Sequence, residues 1–209
     1  MQLTLWQEEQ ALSRHFNNCV LIGVDEAGRG PFAGPVVAGA AILDGQPQGL
    51  LNDSKKLTET QRERIFAELP SYCKYHSIGE ASAREIDEIG ILNATFLAMR
   101  RALAPITSQL KEKNLPYKIL VDGNLRIREI DYDLQMPIIK GDGKVACIAA
   151  ASILAKVHRD RLMKEFAKDF PQYNFEKHKG YGTKAHLFAM QKFGLCEIHR
   201  KSFKINSQS

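Results

Sequence analysis

The stretch "NCVLIGVDEAGRGPFAGPVVAGAAIL", residues 18–43, decides the fold. Its first part, "NCVLIGV", is an apolar, β-branched run that predicts a buried strand. "VVAGAAIL", residues 36–43, predicts a second strand paired with the first across the glycine-rich turn. Asp25 and Glu26 stand where the first strand runs out, directly ahead of "GRGPFAG". Two adjacent carboxylates beside backbone built for close approach suggest a site, although a solvated turn uses the same residue types. Neighbouring strand residues point to opposite faces, so the two acids share one site only if the strand ends or bulges there. A dinucleotide loop fits poorly. The spacing is G-x-G-x-x-x-G, Pro31 and Pro35 interrupt any helix start, and the acidic pair would repel a pyrophosphate.

Outward from this core, "TETQRERIFAEL" opens with a capping box, Thr58 to Gln61, and "SAREIDEI" with another, Ser82 to Glu85. "CKYHSIG" predicts a third strand. Leu92, Phe96, Met99 and Leu103 fall on one helical face, which predicts an amphipathic helix over residues 91–104. "YKILVDG" is a strand running into an Asp-Gly turn at Asp122, and "QMPIIKGDG" a short strand ending at Asp142. "KVACIAAASILAKVHRDRLMKEFAKDF" is a long helix, alanine-rich and closely packed in its first half. A loop and a further helix capped at Gly194 follow. The expected class is α/β: a mixed central sheet flanked by helices, with a helical C-terminal extension.

Three predicted strands therefore end in acids: Asp25 with Glu26, Asp122, and Asp142. Sites in open α/β sheets collect at strand ends. An unpaired carboxylate cluster is self-repulsive; Mg²⁺ or Mn²⁺, hard cations that take oxygen ligands, relieve it. Two such ions about 4 Å apart suit displacement at a phosphodiester. Taken singly, each acid serves as well as a turn or cap residue.

The 209 residues fit one domain, or one with an appendage, and 44% hydrophobic with 25% charged residues is ordinary for a globular core. A net charge of +5 points moderately to a polyanionic partner. Cys19, Cys73, Cys147 and Cys196 lie far apart, giving neither a disulfide framework nor a zinc site, which suits a reduced, cytoplasmic compartment. Cys73 and His76 read as structural, and the six histidines lack metal-ligand spacing. The N-terminus carries too many charged and amide side chains for a signal peptide, no run approaches a membrane span, and the tail "KINSQS" reads as disordered.

Together these residues resemble the ribonuclease HII family, the bacterial type 2 ribonucleases H. The likeness runs from "GVDEAGRGPFAGPVV" through "LNDSKKL", "EIDEIGILNATFLAM", "VDG", "KGD" and "AAASILAKVHRDR" to "HKGYGT", in family order. It implies an RNase H-like catalytic domain over 1–170, including an N-terminal helical segment at 1–18, and a C-terminal helical extension over 171–209 packed on it. It implies Mn²⁺ or Mg²⁺, two ions in the active complex, and Asp25, Glu26, Asp122 and Asp142 as catalytic metal ligands. Asp160 in "HRD" competes for the fourth place. The implied reaction is endonucleolytic hydrolysis on the 5′ side of a ribonucleotide in a duplex, leaving 5′-phosphate and 3′-hydroxyl ends. Such chemistry belongs to DNA replication and ribonucleotide excision repair. Arg29, together with only 24 residues ahead of Asp25, argues for HII over HIII.

The resemblance also places Gly28, Arg29 and Gly30 along the minor groove, reading the 2′-hydroxyl that separates RNA from DNA. It places Tyr181 on the deoxyribose after the ribonucleotide. Lys56, Ser152 and Lys156 are candidate phosphate contacts, with His178 and Lys179 as weaker ones. Ser152, Lys156 and Arg159 share one helical face, which generically is a solvated stripe. The implied partner is nucleic acid, either an RNA/DNA hybrid or duplex DNA containing ribonucleotides. The chain is expected to be a monomer without membrane contact. Two other classes remain open. A binding module would hold duplexes without metal or scission, and another RNase H-like phosphodiesterase would cut DNA lacking ribonucleotides.

Overall fold

The computed structural model describes residues 4–47, 51 and 57–204. Five strands, β1 (Val20–Ala27), β2 (Val36–Leu43), β3 (Cys73–Ala81), β4 (Tyr117–Asp122) and β5 (Gln135–Ile138), form one sheet ordered β3-β2-β1-β4-β5. β1, β2 and β3 pair antiparallel, whereas β4 and β5 run parallel to β1, so the sheet is mixed as expected. The helices are α1 (Leu5–His15), α2 (Glu59–Glu68), α3 (Ala83–Ile89), α4 (Ile91–Glu112), α5 (Ala146–Asp169), α6 (Phe175–His178) and α7 (Lys184–Phe193).

Strand alternation divides the core in two. Ile22 and Val24 of β1 and Ile119 and Val121 of β4 face α4, meeting its Phe96, Met99 and Leu103. Leu21 and Leu120 face the other way, onto Ile148, Ile153 and Leu154 of α5, with Ile65 of α2 beside them. The alanines of α5 let it lie unusually close to the sheet. A Cβ on Gly23 would sit 2.1 Å from the Cys147 carbonyl carbon, and one on Gly39 would sit 2.3 Å from the Ala151 oxygen. A third apolar cluster joins the end of α5 to the C-terminal elements through Met163, Tyr173, Phe175, Ala189 and Ile198, and reaches Ala33. Both expected capping boxes form, at Thr58 and Ser82.

The structure corrects four expectations. β1 does not stop before Asp25: toward β2 it pairs on through Asp25↔Gly39, Glu26↔Ala38 and Ala27↔Val37, while pairing with β4 ends at Val24. α4 runs past Pro105 to Glu112, because the buried Ile106 and Leu110 continue its apolar stripe. Asp142 lies beyond β5, in a 3₁₀ turn over Gly141–Gly143 entered through Lys140 at φ +56°. The Ser152–Lys156–Arg159 face is not solvated, since Ser152 and Arg159 are both buried. Lys56 and the tail from 205 onward lie outside the described residues.

Candidate active site

The carboxylates gather where β1 and β4 part. Parity along the strands turns Asp25 toward α5, and the Ser152 hydroxyl hydrogen-bonds its carboxylate. Asp25 Oδ1 also accepts its neighbour's Glu26 N–H at 2.7 Å. Asp122 closes β4, and its Oδ1 accepts the N–H groups of Gly141 at 2.6 Å and Asp142 at 3.4 Å. That pair of bonds folds the 3₁₀ turn back over the end of β4 and delivers Asp142, 2% exposed, to the same edge. Lys156 donates to Ser152 Oγ at 2.8 Å and lies 3.9 Å from Asp142 Oδ2, so its ammonium sits among the acids. Glu26 leaves from the opposite face of β1 and is paired with Arg29 at 3.2 Å.

This edge is over-supplied with negative charge. Burial, then the Glu26 and Asp122 charges, push Asp25 up to about 8, against the opposing pull of Ser152 and Lys156. Burial raises Glu26 as well, with Arg29 opposing and Asp122 adding to the rise. An acid held protonated by burial, with other acids adding to the effect, is the electrostatic condition that a cation relieves. The donors are all carboxylate oxygens, which suits hard divalent ions. Among the described residues, however, no three His, Cys, Asp or Glu side chains stand close enough to form a finished metal cage. Arg29 on Glu26 and Lys156 by Asp142 occupy that role of counter-charge.

Asp160 stands apart from this group. It pairs with Arg62 at 3.5 Å, and its other charged neighbours are Lys179, Glu59 and Arg159. It lines a cavity of about 430 Å³ bordering Glu26, together with Gly28, Arg62, Lys156, Lys177, Lys179 and Tyr181. Lys179 reaches Glu59 at 3.9 Å and donates to the Glu176 carbonyl, and His178 Nε2 donates to the Tyr173 carbonyl at 2.8 Å.

The two glycines of "GRG" answer to different neighbours. Gly28 has φ +89°, and a Cβ there would lie 2.0 Å from Arg159 Nε. Its lack of a side chain is thus demanded by the protein's own interior. A Cβ on Gly30 would find its nearest atom in Tyr181 Cε1 at 3.7 Å, an ordinary contact. Gly30, Arg29 and the half-exposed Tyr181 form an open surface beside the acids.

Sequence reasoning missed the parts that hold this surface. Arg159 and Arg200, each 2% exposed, donate only to carbonyls of the segment 28–35, and burial lowers their pKa values to about 10 and about 9. Beneath Tyr181, its carbonyl is bonded to His186 Nδ1 at 3.0 Å, and His186 Nε2 meets His199 Nε2 at 3.1 Å. A carbonyl only accepts, so His186 Nδ1 carries the proton and His199 must donate across the pair. His199 Nδ1 then accepts the Cys196 N–H at 3.0 Å. The chain is satisfied with both rings neutral, and burial accordingly lowers His186 to about 4. The apolar spacing in "KAHLFAM" could have flagged His186 as inward-facing; nothing in "HRKSF" marks Arg200.

A mixed five-stranded sheet sandwiched by helices, with carboxylates at the parting of β1 and β4, defines an RNase H-like α/β protein. The PCNA:RNase HII complex from Archaeoglobus fulgidus contains a chain that superposes with a TM-score of 0.71 at 23% identity, covering 91% of this chain and 98% of its own. Bst-RNase HIII in complex with Mn²⁺ superposes with a TM-score of 0.65 at 19% identity, covering 84% of this chain and 63% of its own. A ribonuclease HII from Fusobacterium nucleatum is 54% identical over 186 residues, 88% of this chain and 85% of its own. The family model for ribonuclease HII matches residues 22–206. The chain belongs to the ribonuclease HII family, and is a metal-dependent endonuclease of the type 2 ribonuclease H class. Among the described residues no helix is long and apolar enough to cross a membrane.

Proposed function

We propose that this enzyme hydrolyses the phosphodiester on the 5′ side of ribonucleotides, both in RNA/DNA hybrids and at single ribonucleotides embedded in duplex DNA. The products are 5′-phosphate and 3′-hydroxyl ends. The observation that carries the reading is the juxtaposition of two surfaces: a carboxylate edge whose Asp25 is held protonated by burial and by the acids Glu26 and Asp122, and the open Arg29–Gly30–Tyr181 surface beside it.

Asp25, Glu26, Asp122 and Asp142 would hold two Mn²⁺ or Mg²⁺ ions. Asp142 is preferred to Asp160 as the fourth, because its turn is anchored on Asp122 whereas Asp160 is engaged with Arg62. Ions bound there supply an activated water and neutralise charge on the phosphate. Ser152 fixes the orientation of Asp25 from full burial, so its part is indirect, and the phosphate contact first expected of it is not carried forward. Lys156 sits where it balances Asp142 and Asp25, and from its half-buried position reaches the cavity floor. Arg29, half exposed, is free to exchange Glu26 for a phosphate. Gly30 leaves room for a sugar to approach the backbone, and the Tyr181 ring offers an apolar face to the next sugar, where a 2′-hydroxyl would fit less well. Lys177 and Lys179 extend the positive rim.

The test is a labelled DNA duplex with one internal ribonucleotide, run beside an all-DNA duplex and an RNA/DNA hybrid, with Mg²⁺, Mn²⁺ or chelator. Metal-dependent nicking immediately 5′ of the ribonucleotide, with all-DNA intact, is expected. Cleavage of the all-DNA duplex, or no cleavage with either metal, refutes the reading.

A further inference from the structure

Arg200 lies outside every motif that suggested the function, yet its guanidinium does more bonding than any other side chain near the site. The chain returns after α7 to lie along residues 32–34: Gly34 N–H donates to Ile198 O at 2.8 Å, Arg200 N–H donates to Phe32 O at 2.8 Å, and Ala33 pairs with His199. This fixes the base of Arg200. Its side chain then donates to Gly34 O at 2.9 Å, Arg29 O at 2.9 Å, Gly28 O at 2.5 Å and Pro35 O at 3.2 Å. Phe203 covers the guanidinium at 5.0 Å. Arg159 stands close enough for its like charge to act on Arg200, and donates to Pro35 O and Ala33 O at 3.0 Å each.

Two buried cations packed together on carbonyls, with no carboxylate bonded to either guanidinium among the described residues, make a costly way to tie down a loop. Its yield is directional. Among the described residues every peptide is trans, and in a trans peptide the C=O and the following N–H point opposite ways. With the Gly28 and Arg29 carbonyls drawn inward onto Arg200, the N–H groups of Arg29 and Gly30 face away from it. Those two donors have no backbone partner among the described residues. A cation on the carbonyl end of each peptide also strengthens its N–H as a donor.

We propose that Arg200 is a positioning residue for ribonucleotide selection, turning the Arg29 and Gly30 amides outward as a paired donor for the substrate's 2′-hydroxyl oxygen. This rests on the reading that the enzyme cuts at ribonucleotides. Arg200 touches no substrate itself; it acts through the loop. A lysine cannot reproduce the fork, because its ammonium is a point charge that cannot span carbonyls from both ends of the segment.

The experiment compares wild type with Arg200→Lys for binding, in chelator, to a duplex with one ribonucleotide and to the same duplex in all-DNA form. The wild type should prefer the ribonucleotide duplex, and the variant should lose that preference by about tenfold, the worth of one or two hydrogen bonds. Its affinity for all-DNA should stay within about twofold. Equal weakening on both duplexes, or an unchanged preference with only a lowered melting temperature, overturns the proposal. A wild type with no preference would instead refute the underlying function. A second measurement needs no variant. In wild-type protein the amide proton resonances of Arg29 and Gly30 should move downfield with the ribonucleotide duplex and not with all-DNA; identical shifts overturn the proposal.

Discussion

Replacing Asp25 by Asn should destroy activity and, without metal, make the protein more stable. Asn keeps the shape of the side chain and still offers an oxygen to the Glu26 N–H, which bonds Asp25 at 2.7 Å. What it removes is a titration. Asp25 ionises ordinarily at 3.8 but at about 8 in the fold, chiefly through burial and then through the Glu26 and Asp122 charges. An acid raised in this way costs nothing below about 3.8, where both folded and unfolded chains hold the proton. The cost grows as pH climbs toward 8, because the unfolded chain ionises first. At about 1.4 kcal/mol per pKa unit, the four-unit gap sets a ceiling of about 6 kcal/mol above pH 8. Relaxation and water penetration around the buried acid cut the realised gain to about 2 kcal/mol, or a rise of about 4–8 °C for a chain of this size. Melting curves of both proteins in chelator from pH 4 to pH 8.5 make the assay. The gap should be near zero at pH 4 and widest at pH 8, and Mn²⁺ should raise the wild type alone and narrow it. Cleavage by the variant should fall by at least about a thousandfold. A variant that melts no higher than wild type at pH 8, or by a margin independent of pH, refutes the view that burial and the neighbouring acids hold Asp25 protonated in the fold.

Gly28→Ala should cost about 2 kcal/mol or more in stability, since the new methyl meets Arg159 at 2.0 Å with φ at +89°. Gly30→Ala should melt within about a degree of wild type, because its methyl meets only Tyr181 Cε1 at 3.7 Å, yet lose cleavage at ribonucleotides at least about tenfold. Glu9 is buried, bonds the Cys147 N–H at 2.6 Å, and is pushed up to about 7 by burial. Glu9→Gln should therefore stabilise the protein by about 1–2 kcal/mol above pH 7, with the gain fading toward pH 4.5 and cleavage unchanged, as melts and turnover assays will read. His186 is depressed to about 4, so the unfolded chain takes up its proton first as the pH drops. Stability present above about 6.5 should be lost between 6.5 and 4 by about 1–2 kcal/mol, and His186→Asn, which retains a donor for the Tyr181 carbonyl, should flatten that slope in a melt-versus-pH series.

Much of this architecture is legible in the residues, and the exceptions have physical reasons. β2 falls on residues 36–43 as its unbroken apolar run requires, and Thr58 and Ser82 mark their helix starts because a capping box is a local device. The helix expected over 91–104 continues to Glu112 because Ile106 and Leu110 extend its buried stripe, which outweighs the one backbone bond that Pro105 cannot donate. The position of Asp142 is hidden because it depends on a non-local event, the capture of its own N–H and that of Gly141 by Asp122. Arg159 misleads for a related reason. A four-and-three spacing with Ser152 and Lys156 says that they share a face, but only the closeness of α5 to β1 and β2 says that this face is buried.

That closeness connects the core to the chemistry. Gly23 and Gly39 leave no Cβ between sheet and helix, so the α5 backbone comes to rest on β1 and β2. Next to Ala151 this depth brings Ser152 against Asp25; about one turn further along it brings Lys156 beside Asp142, and about two turns along Arg159 under Gly28. A bulkier helix on the same sheet would stand off and leave Asp25 solvated, with an ordinary pKa and no fixed direction. The small residues that read as mere packing in "VLIGV", "VVAGAAIL" and "ACIAAASILA" therefore set both the charge state of the acidic edge and the floor of the loop beside it. The proposed recognition surface is anchored also from the other side, where His199 supports the Tyr181 loop through His186 and Arg200 bonds the GRG loop directly. The acidic edge thus rests on α5, whereas the 28–35 loop is held from two sides, by Arg159 of α5 and by Arg200 of the C-terminal segment. Damage to the C-terminal support should relax the choice of substrate, and damage to the glycine–alanine seam should abolish the reaction.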